Sequence, residues 1–100
     1  MAEAINEVGN LSNHFQLVAE VKNNKDQLIV KVETLDEDIK KYGFSAMELK
    51  RAIYEKSKEL RALYREGLIN DIIIEIVPPG GIERNPRTGK IRLVVDKRSV

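Results

Sequence analysis

The sequence predicts an α+β domain in which four strands and a helical segment follow the order ββαββ. Two stretches of alternating apolar and polar residues come first, an amphipathic segment with helix-capping patterns follows, and β-branched runs come last. The simplest arrangement has two layers, a four-stranded, mostly antiparallel sheet with one long helix packed across one face. These observations leave the order of the strands open.

A length of 100 residues is enough for one hydrophobic core and too short for two. Hydrophobic residues make up 42% of the chain and charged residues 33%, which is the balance of a globular domain. Residues 1–12 are predicted to be an N-terminal arm, either a short helix or flexible. Residues 13–100 are predicted to be a single α+β domain.

Residues 13–33 have the period-two alternation that is typical of a β-hairpin. Phe15 on the first strand is expected to face the core, as are Val30 and Val32 on the second. The polar run Asn-Asn-Lys-Asp at residues 23–26 supplies residues that favour a turn.

Residues 34–37 and 45–48 each have the spacing of a helix capping box, in which a Thr or Ser precedes a Glu by three positions. The first box predicts a short helix that ends at Gly43. The second opens the main helix, which is predicted over residues 46–66. Gly67 is the expected end of this helix, because glycine accepts the left-handed backbone that closes a helix.

Residues 72–77 are mostly isoleucine and valine, a pattern typical of a central strand that is covered on both faces. The sequence Pro-Pro-Gly-Gly at residues 78–81 ends this strand. The last strand is predicted over residues 91–95. Residues 85–89 before it are predicted to turn, because their proline fixes φ and their glycine tolerates positive φ.

The composition excludes several kinds of chemistry. The chain has no cysteine and a single histidine, His14, which excludes thiol catalysis, thiolate metal sites and multi-histidine metal sites. The sequence Thr88-Gly89-Lys90 is not a phosphate-binding loop, because that motif needs a glycine where Arg84 stands and a helix after the lysine. We therefore predict no catalytic residue, no metal and no cofactor.

Charge is unevenly distributed, although the formal net charge is only +1. Residues 1–39 hold eight acidic and three basic side chains, whereas residues 84–100 hold six basic side chains and one acidic one. A hairpin with several cations can neutralise the phosphates of a nucleic acid, or meet the acidic region of another copy of the chain. The hairpin residues predicted to bind a partner are Arg84, Pro86, Arg87, Lys90 and Arg92.

Residues 84–89, Arg-Asn-Pro-Arg-Thr-Gly, resemble the arm tip of the HU/IHF family of bacterial DNA-bending proteins. The resemblance covers six residues and implies a basic ribbon that enters the minor groove, with Pro86 as a wedge between base pairs. The rest of the chain departs from that family, whose members begin with two helices. The same six residues also fit an ordinary hairpin turn.

The main helix offers a second candidate surface. A basic row beside the apolar residues Met47 and Tyr54 fits either a solvated face or a partner-binding face. The helix would be about 31 Å long, whereas a seven-residue strand spans about 23 Å, so its far end is expected to need cover from a second protomer. The candidate binding residues on this surface are Tyr54, Arg51, Lys58 and Arg65.

Together these features predict a small, non-enzymatic, cytoplasmic module that acts in protein–protein assembly or regulation. Its partner is expected to be another protein or a second copy of the chain, and a homodimer is plausible. The alternative is nucleic-acid binding through the basic C-terminal hairpin, at the phosphate backbone and minor groove and with low sequence specificity. No apolar run approaches the roughly 20 residues of a membrane span, so no membrane partner is expected.

Overall fold

The computed structural model describes Ile5 and residues 11–98 of the chain. Within this part, four strands form one sheet in the order β3-β2-β1-β4, and helices pack on one of its faces. The strands are β1 (Leu11–Lys22), β2 (Lys25–Thr34), β3 (Ile73–Val77) and β4 (Val94–Asp96). Between β2 and β3 lie the helices α1 (Gly43–Lys56) and α2 (Lys58–Arg65). The predicted α+β class, with a four-stranded sheet and a helical layer on one face, is confirmed.

The N-terminal arm predicted over residues 1–12 lies outside the described residues except at Ile5, Leu11 and Ser12. Ile5 is helical and buried in the core. Leu11 and Ser12 belong to β1, which therefore begins two residues before the predicted hairpin.

The hairpin of β1 and β2 is antiparallel and closes through a two-residue turn. Asn23 and Asn24 have φ angles of 55° and 65°. Asparagine tolerates this left-handed conformation, and a turn with two such residues matches the twist of the strands that it joins. Phe15 pairs with Val32 across the hairpin, and the hairpin predicted from the alternation is confirmed.

Both outer strands run parallel to the strand beside them, β3 along five positions of β2 and β4 along three positions of β1. Parallel neighbours need a crossover connection, which the helices provide between β2 and β3. Residues 78–93 instead join β3 to β4 at the opposite edge of the sheet. The prediction of a central strand at residues 72–77 is wrong, because β3 forms one edge of the sheet. Its isoleucines are explained by packing on one face, where Ile74 and Ile76 contact the core while Ile73 is exposed.

The helical segment is divided at Ser57. This residue has an extended backbone, with φ −117° and ψ 91°, and its Oγ accepts a hydrogen bond from the N–H of Leu60 at 3.3 Å. At 14 residues, α1 is about 21 Å long. The 12 residues of β1 span about 40 Å, so the helix is not longer than the strands. The reason for which a homodimer was predicted is therefore not present. The homodimer itself stays a prediction.

The ends of the helical segment differ in how well the sequence predicts them. A 3-10 turn at Ile39–Tyr42 replaces the short helix, and α1 begins directly after it at Gly43, so the predicted cap at residues 45–48 does not form. Gly67, with φ 76°, ends the segment as predicted, and the N–H of Leu68 closes the cap on the carbonyl of residue 63 at 3.0 Å. Neither described helix combines the length and the apolar character that a bilayer span requires.

The core lies between α1 and one face of the sheet, where Leu49 packs with Val30 and Val32 of β2. Alternate residues of the same strands point to the opposite face. Residues 78–93 cross that opposite face on their way from β3 to β4, and the side chain of Gln16 hydrogen-bonds to this segment. The sheet therefore separates the helices from the segment that carries most of the C-terminal basic residues.

Candidate functional site

A short hairpin occupies residues 84–91, within the segment that crosses the face opposite the helices. Arg84 and Ile91 form an antiparallel bridge at its base. The N–H of Asn85 donates to the carbonyl of Lys90 at 2.9 Å, which closes the loop between them. The basic residues selected from the sequence are thereby brought to one compact loop.

The side chain of Asn85 organises the tip of this hairpin. Its Oδ1 accepts hydrogen bonds from the N–H groups of Arg87 at 2.8 Å and Thr88 at 3.3 Å, an arrangement that asparagine favours in turns. Gly89 has φ 70° and donates its N–H to the carbonyl of Asn85 at 2.8 Å. The turn predicted at residues 85–89 is therefore confirmed.

Three cations of the hairpin are free to meet a ligand. The charged groups of the Arg87, Lys90 and Arg92 side chains form no ion pair or hydrogen bond with any residue that the structure describes; only the backbones of these residues are hydrogen-bonded. Two clefts, each of about 330 Å³, flank the hairpin, and Lys90 and Arg84 line both of them. Pro86 lines one of these clefts and is exposed.

Arg84 differs from the other cations because its guanidinium is paired with a buried carboxylate. Its Nη2 and Nη1 lie 2.9 Å from Oε1 and Oε2 of Glu33, whose side chain is only 2% exposed. Burial alone would raise the pKa of Glu33, but hydrogen bonds from Arg84 and from the N–H groups of Gly80 and Ile82 outweigh it, and the pKa lies below its ordinary 4.5. Glu33 is therefore ionised at neutral pH, and among the described residues Lys90 is the one cation that lines both clefts with its charge unpaired.

Two polar residues that hold the base of the hairpin, Glu33 and Gln16, are not among the residues predicted from the sequence. The Nε2 of Gln16 donates to the carbonyl of Arg92 at 2.9 Å, and the side chains of Gln16 and Glu33 are both buried. They occupy strand positions that alternate with core positions, so the period-two pattern places them in solvent. Only the crossing of residues 78–93 over that face buries them, and no local pattern in the sequence signals this long-range contact.

The candidate residues on the helices lie on the other side of the sheet. Arg51 and Tyr54 line a cleft of about 500 Å³ between α1 and α2, together with Met47, Lys50, Glu55 and Arg61. Lys58 and Arg65 are exposed on α2 and do not line this cleft. The structure thus brings two of the four residues together, and the role of all four in partner binding stays a prediction.

Among solved structures, this fold occurs in a domain of phenylacetate-coenzyme A ligase from Bacteroides vulgatus ATCC 8482. That domain aligns with a TM-score of 0.65 and 15% identity, over 99% of this chain and 81% of that one. A 2-hydroxyisobutyryl-CoA ligase, solved with 2-HIB-AMP and CoA in the thioesterification state, aligns with a TM-score of 0.52 and 21% identity. The alignment covers 98% of this chain but only 18% of the ligase. At these identities the likeness shows the fold alone.

A search of curated proteins gives no match, whereas residues 1–98 match the family described as the AMP-binding enzyme C-terminal domain. This match corrects the predicted function. The prediction of a free, non-enzymatic module for protein assembly or regulation is wrong, and so is its nucleic-acid alternative, because the domains of this family are parts of enzymes. The six residues that resemble a DNA-bending arm instead form the hairpin tip. The chain belongs to the family of AMP-binding enzyme C-terminal domains.

Proposed function

We propose that this chain serves an enzyme that joins a carboxylate to CoA through an acyl-adenylate, and that its basic hairpin binds the anionic groups of that reaction. The family match supports an enzyme that binds AMP. The names of two proteins of the same fold support a CoA ligase, and one of these was solved with 2-HIB-AMP and CoA. The compartment that we propose for this enzyme is the cytoplasm.

The position of Lys90 is the observation that carries this proposal. Its ammonium group has no partner among the described residues, and it follows Gly89 at the end of a tight turn. It borders the clefts on both sides of the hairpin, so a single lysine can reach an anion placed in either. Arg87 and Arg92 extend the positive charge around it. Such a tip can approach a phosphate group without first breaking an ion pair of its own.

The chemistry of an acyl-adenylate explains why a lysine is useful there. When a CoA thiolate attacks the acyl carbon, a carbon–sulfur bond forms, the carbon–oxygen bond to the phosphate breaks, and AMP leaves with the electron pair. The thiol proton is released to solvent. Negative charge accumulates on the phosphate and acyl oxygens in this step, as it does when the adenylate is made, and a fixed cation beside them stabilises it.

The surface of the domain suits a binding site that is shared with another part of an enzyme. Both hairpin clefts are open and small, and the chain spans 18% of the 2-hydroxyisobutyryl-CoA ligase. We therefore expect the hairpin to supply cations to a nucleotide site whose base-binding part lies on a larger catalytic portion. The chain alone should bind AMP only at millimolar concentrations.

An NMR titration of the ¹⁵N-labelled chain with AMP tests the proposal, with adenosine as the ligand that lacks the phosphate. We expect shifts at residues 87–92 with AMP and none there with adenosine. Lys90→Ala should weaken AMP binding about tenfold, the effect of losing a charge-assisted hydrogen bond. Lys22→Ala is the matched control, because this exposed lysine lies at the far end of β1. Equal affinities for the wild type and Lys90→Ala, or shifts that avoid the hairpin, would refute the proposed role.

A further inference from the structure

Glu33 is a buried charge, and apart from His14 on β1, which faces it at 3.6 Å, its partners lie just before the hairpin or at its base. The residue lies one position before the end of β2, and its carboxylate is almost fully removed from solvent. A buried carboxylate is unfavourable unless it is paired and hydrogen-bonded. Among the described residues, no buried side-chain oxygen or nitrogen atom lacks a hydrogen bond, and this includes the carboxylate oxygens of Glu33.

The Glu33 carboxylate accepts hydrogen bonds from several residues just before the hairpin. Oε2 accepts a hydrogen bond from the N–H of Ile82 at 3.2 Å, and the N–H of Gly80 also donates to the carboxylate. The Arg84 guanidinium forms a bidentate ion pair with both carboxylate oxygens and also donates a hydrogen bond to the carbonyl of Ile82 at 3.0 Å. One side chain of β2 therefore sets the path of residues 80–84.

Two backbone contacts connect the Glu33–Arg84 ion pair to Lys90. Arg84 bridges Ile91 at the base of the hairpin, and Asn85 donates to the carbonyl of Lys90 at 2.9 Å. We infer that Glu33 is a positioning residue, which holds the hairpin at a fixed place on the sheet through Arg84 and thereby sets where the Lys90 ammonium stands. The ligand of Lys90 in this inference rests on the proposed function, whereas the anchoring of the hairpin does not.

A second anchor limits the effect of losing the first. Gln16 holds the opposite arm of the hairpin through the carbonyl of Arg92, and the N–H of Leu17 donates to the carbonyl of Leu93 at 2.8 Å. Removal of the Glu33 charge is therefore expected to loosen the hairpin on one side and leave the strand pairing of β1 and β4 in place. The hairpin then samples many positions, of which few suit the ligand.

The test compares Glu33→Gln with Glu20→Gln, the same substitution at a carboxylate of β1 whose partner Lys97 is exposed and 3.9 Å away. In Glu33→Gln, the ¹⁵N order parameters of residues 87–92 should fall well below the value of about 0.85 for a rigid backbone, with those of Val30 and Val32 unchanged. The affinity for AMP should fall about fivefold or more, while Glu20→Gln matches the wild type in both measurements. If the substitution only destabilised the core, the order parameters of the β2 amides would fall together with those of the hairpin.

Unchanged hairpin order parameters in Glu33→Gln would overturn the inference. If that variant does not fold, Arg84→Gln removes the same ion pair at the partner residue, whose side chain is 29% exposed. Unchanged hairpin order parameters in Arg84→Gln would also overturn the inference. The two proposals fail separately. A wild-type chain that does not bind AMP counts against the proposed function, whereas the order parameters alone decide the anchoring.

Discussion

The hydroxyl oxygen of Tyr54 lies 2.7 Å from Oδ1 of Asp71, and this contact joins the C-terminal part of α1 to the chain just before β3. The phenol donates this hydrogen bond and accepts another from the N–H of Ile72 at 3.1 Å. Lys50 pairs with the other carboxylate oxygen of Asp71. The helix is therefore fixed to the start of β3 by polar contacts as well as by the apolar core.

Tyr54 is expected to ionise at a higher pH than a free tyrosine. Burial, aided by the hydrogen bond to Asp71, raises the pKa of Tyr54 to about 12 from its ordinary 10.0. The folded state holds this proton more tightly, so the contribution to stability is complete below pH 10 and is lost as the pH rises through about 12. Tyrosinate absorbance titrations of the wild type and Tyr54→Phe should differ by a step near pH 12. A difference step near pH 10 would contradict the contact.

Glu33 should make the domain sensitive to acid. Its pKa lies below 4.5 because the pairing with Arg84 and the backbone donors outweigh burial, and His14 faces the same carboxylate at 3.6 Å. The stabilising contribution is therefore present above about pH 4.5 and is lost as the pH falls through the lower folded-state value. Melting temperatures measured from pH 6 to pH 3 (roughly the window in which carboxylates titrate) should fall less steeply for Glu33→Gln than for the wild type. Parallel curves would show that Glu33 titrates normally.

Two glycines form a matched pair for a test of backbone conformation. An added Cβ would meet no atom of the described residues within 4 Å at either Gly43 or Gly89. Gly43 has φ −57°, so Gly43→Ala should raise the free energy of unfolding by about 0.4–1 kcal/mol, because the unfolded chain loses freedom. Gly89 has φ 70°, so Gly89→Ala should cost about 1 kcal/mol of strain in the hairpin. Urea denaturation measures the free energy of unfolding of both variants, and amide exchange measures the local effect in the hairpin. Changes of the same sign in the two variants would refute this explanation.

Leu49 is the core residue of α1 whose truncation should matter most. It is fully buried against β2, so Leu49→Ala is expected to lower the free energy of unfolding by about 2–5 kcal/mol. Met47→Ala is the control on the same helix, because Met47 is 71% exposed and the change should stay within about 0.5 kcal/mol. Equal losses in urea denaturation would mean that α1 presents a different face to the sheet.

The parts of the fold that the sequence predicts correctly are those with local causes. Alternating residues and the pair Asn23-Asn24 specify the hairpin of β1 and β2, and Gly67 specifies the end of the helices. The break at Ser57 was not predicted, because the residues around it keep a helical periodicity. The edge position of β3 was not predicted either, since an isoleucine run has the same composition at an edge as in the centre of a sheet.

The candidate site divides in the same way. The cations of the hairpin and its turn are contiguous in the sequence, so charge counting and turn chemistry were sufficient to select Lys90 and its neighbours. Glu33 lies 51 positions from Arg84 and Gln16 lies 76 positions from Arg92. These contacts depend on which strand joins which edge of the sheet, and the order of elements does not determine that.

The path of residues 78–93 across the sheet has a consequence for how the domain assembles. β4 is three residues long and pairs with β1 only after the chain has passed over the whole face, which makes its contacts among the most distant in sequence. Pairings of that kind form late, and a segment held by so few ladder positions opens more readily than the core. We expect a protease to cut first within residues 78–96, the connection and β4, and to leave a folded body of β1, β2, β3 and the helices. The tip that bears Lys90 thus belongs to the last part of the domain to dock and the first to detach.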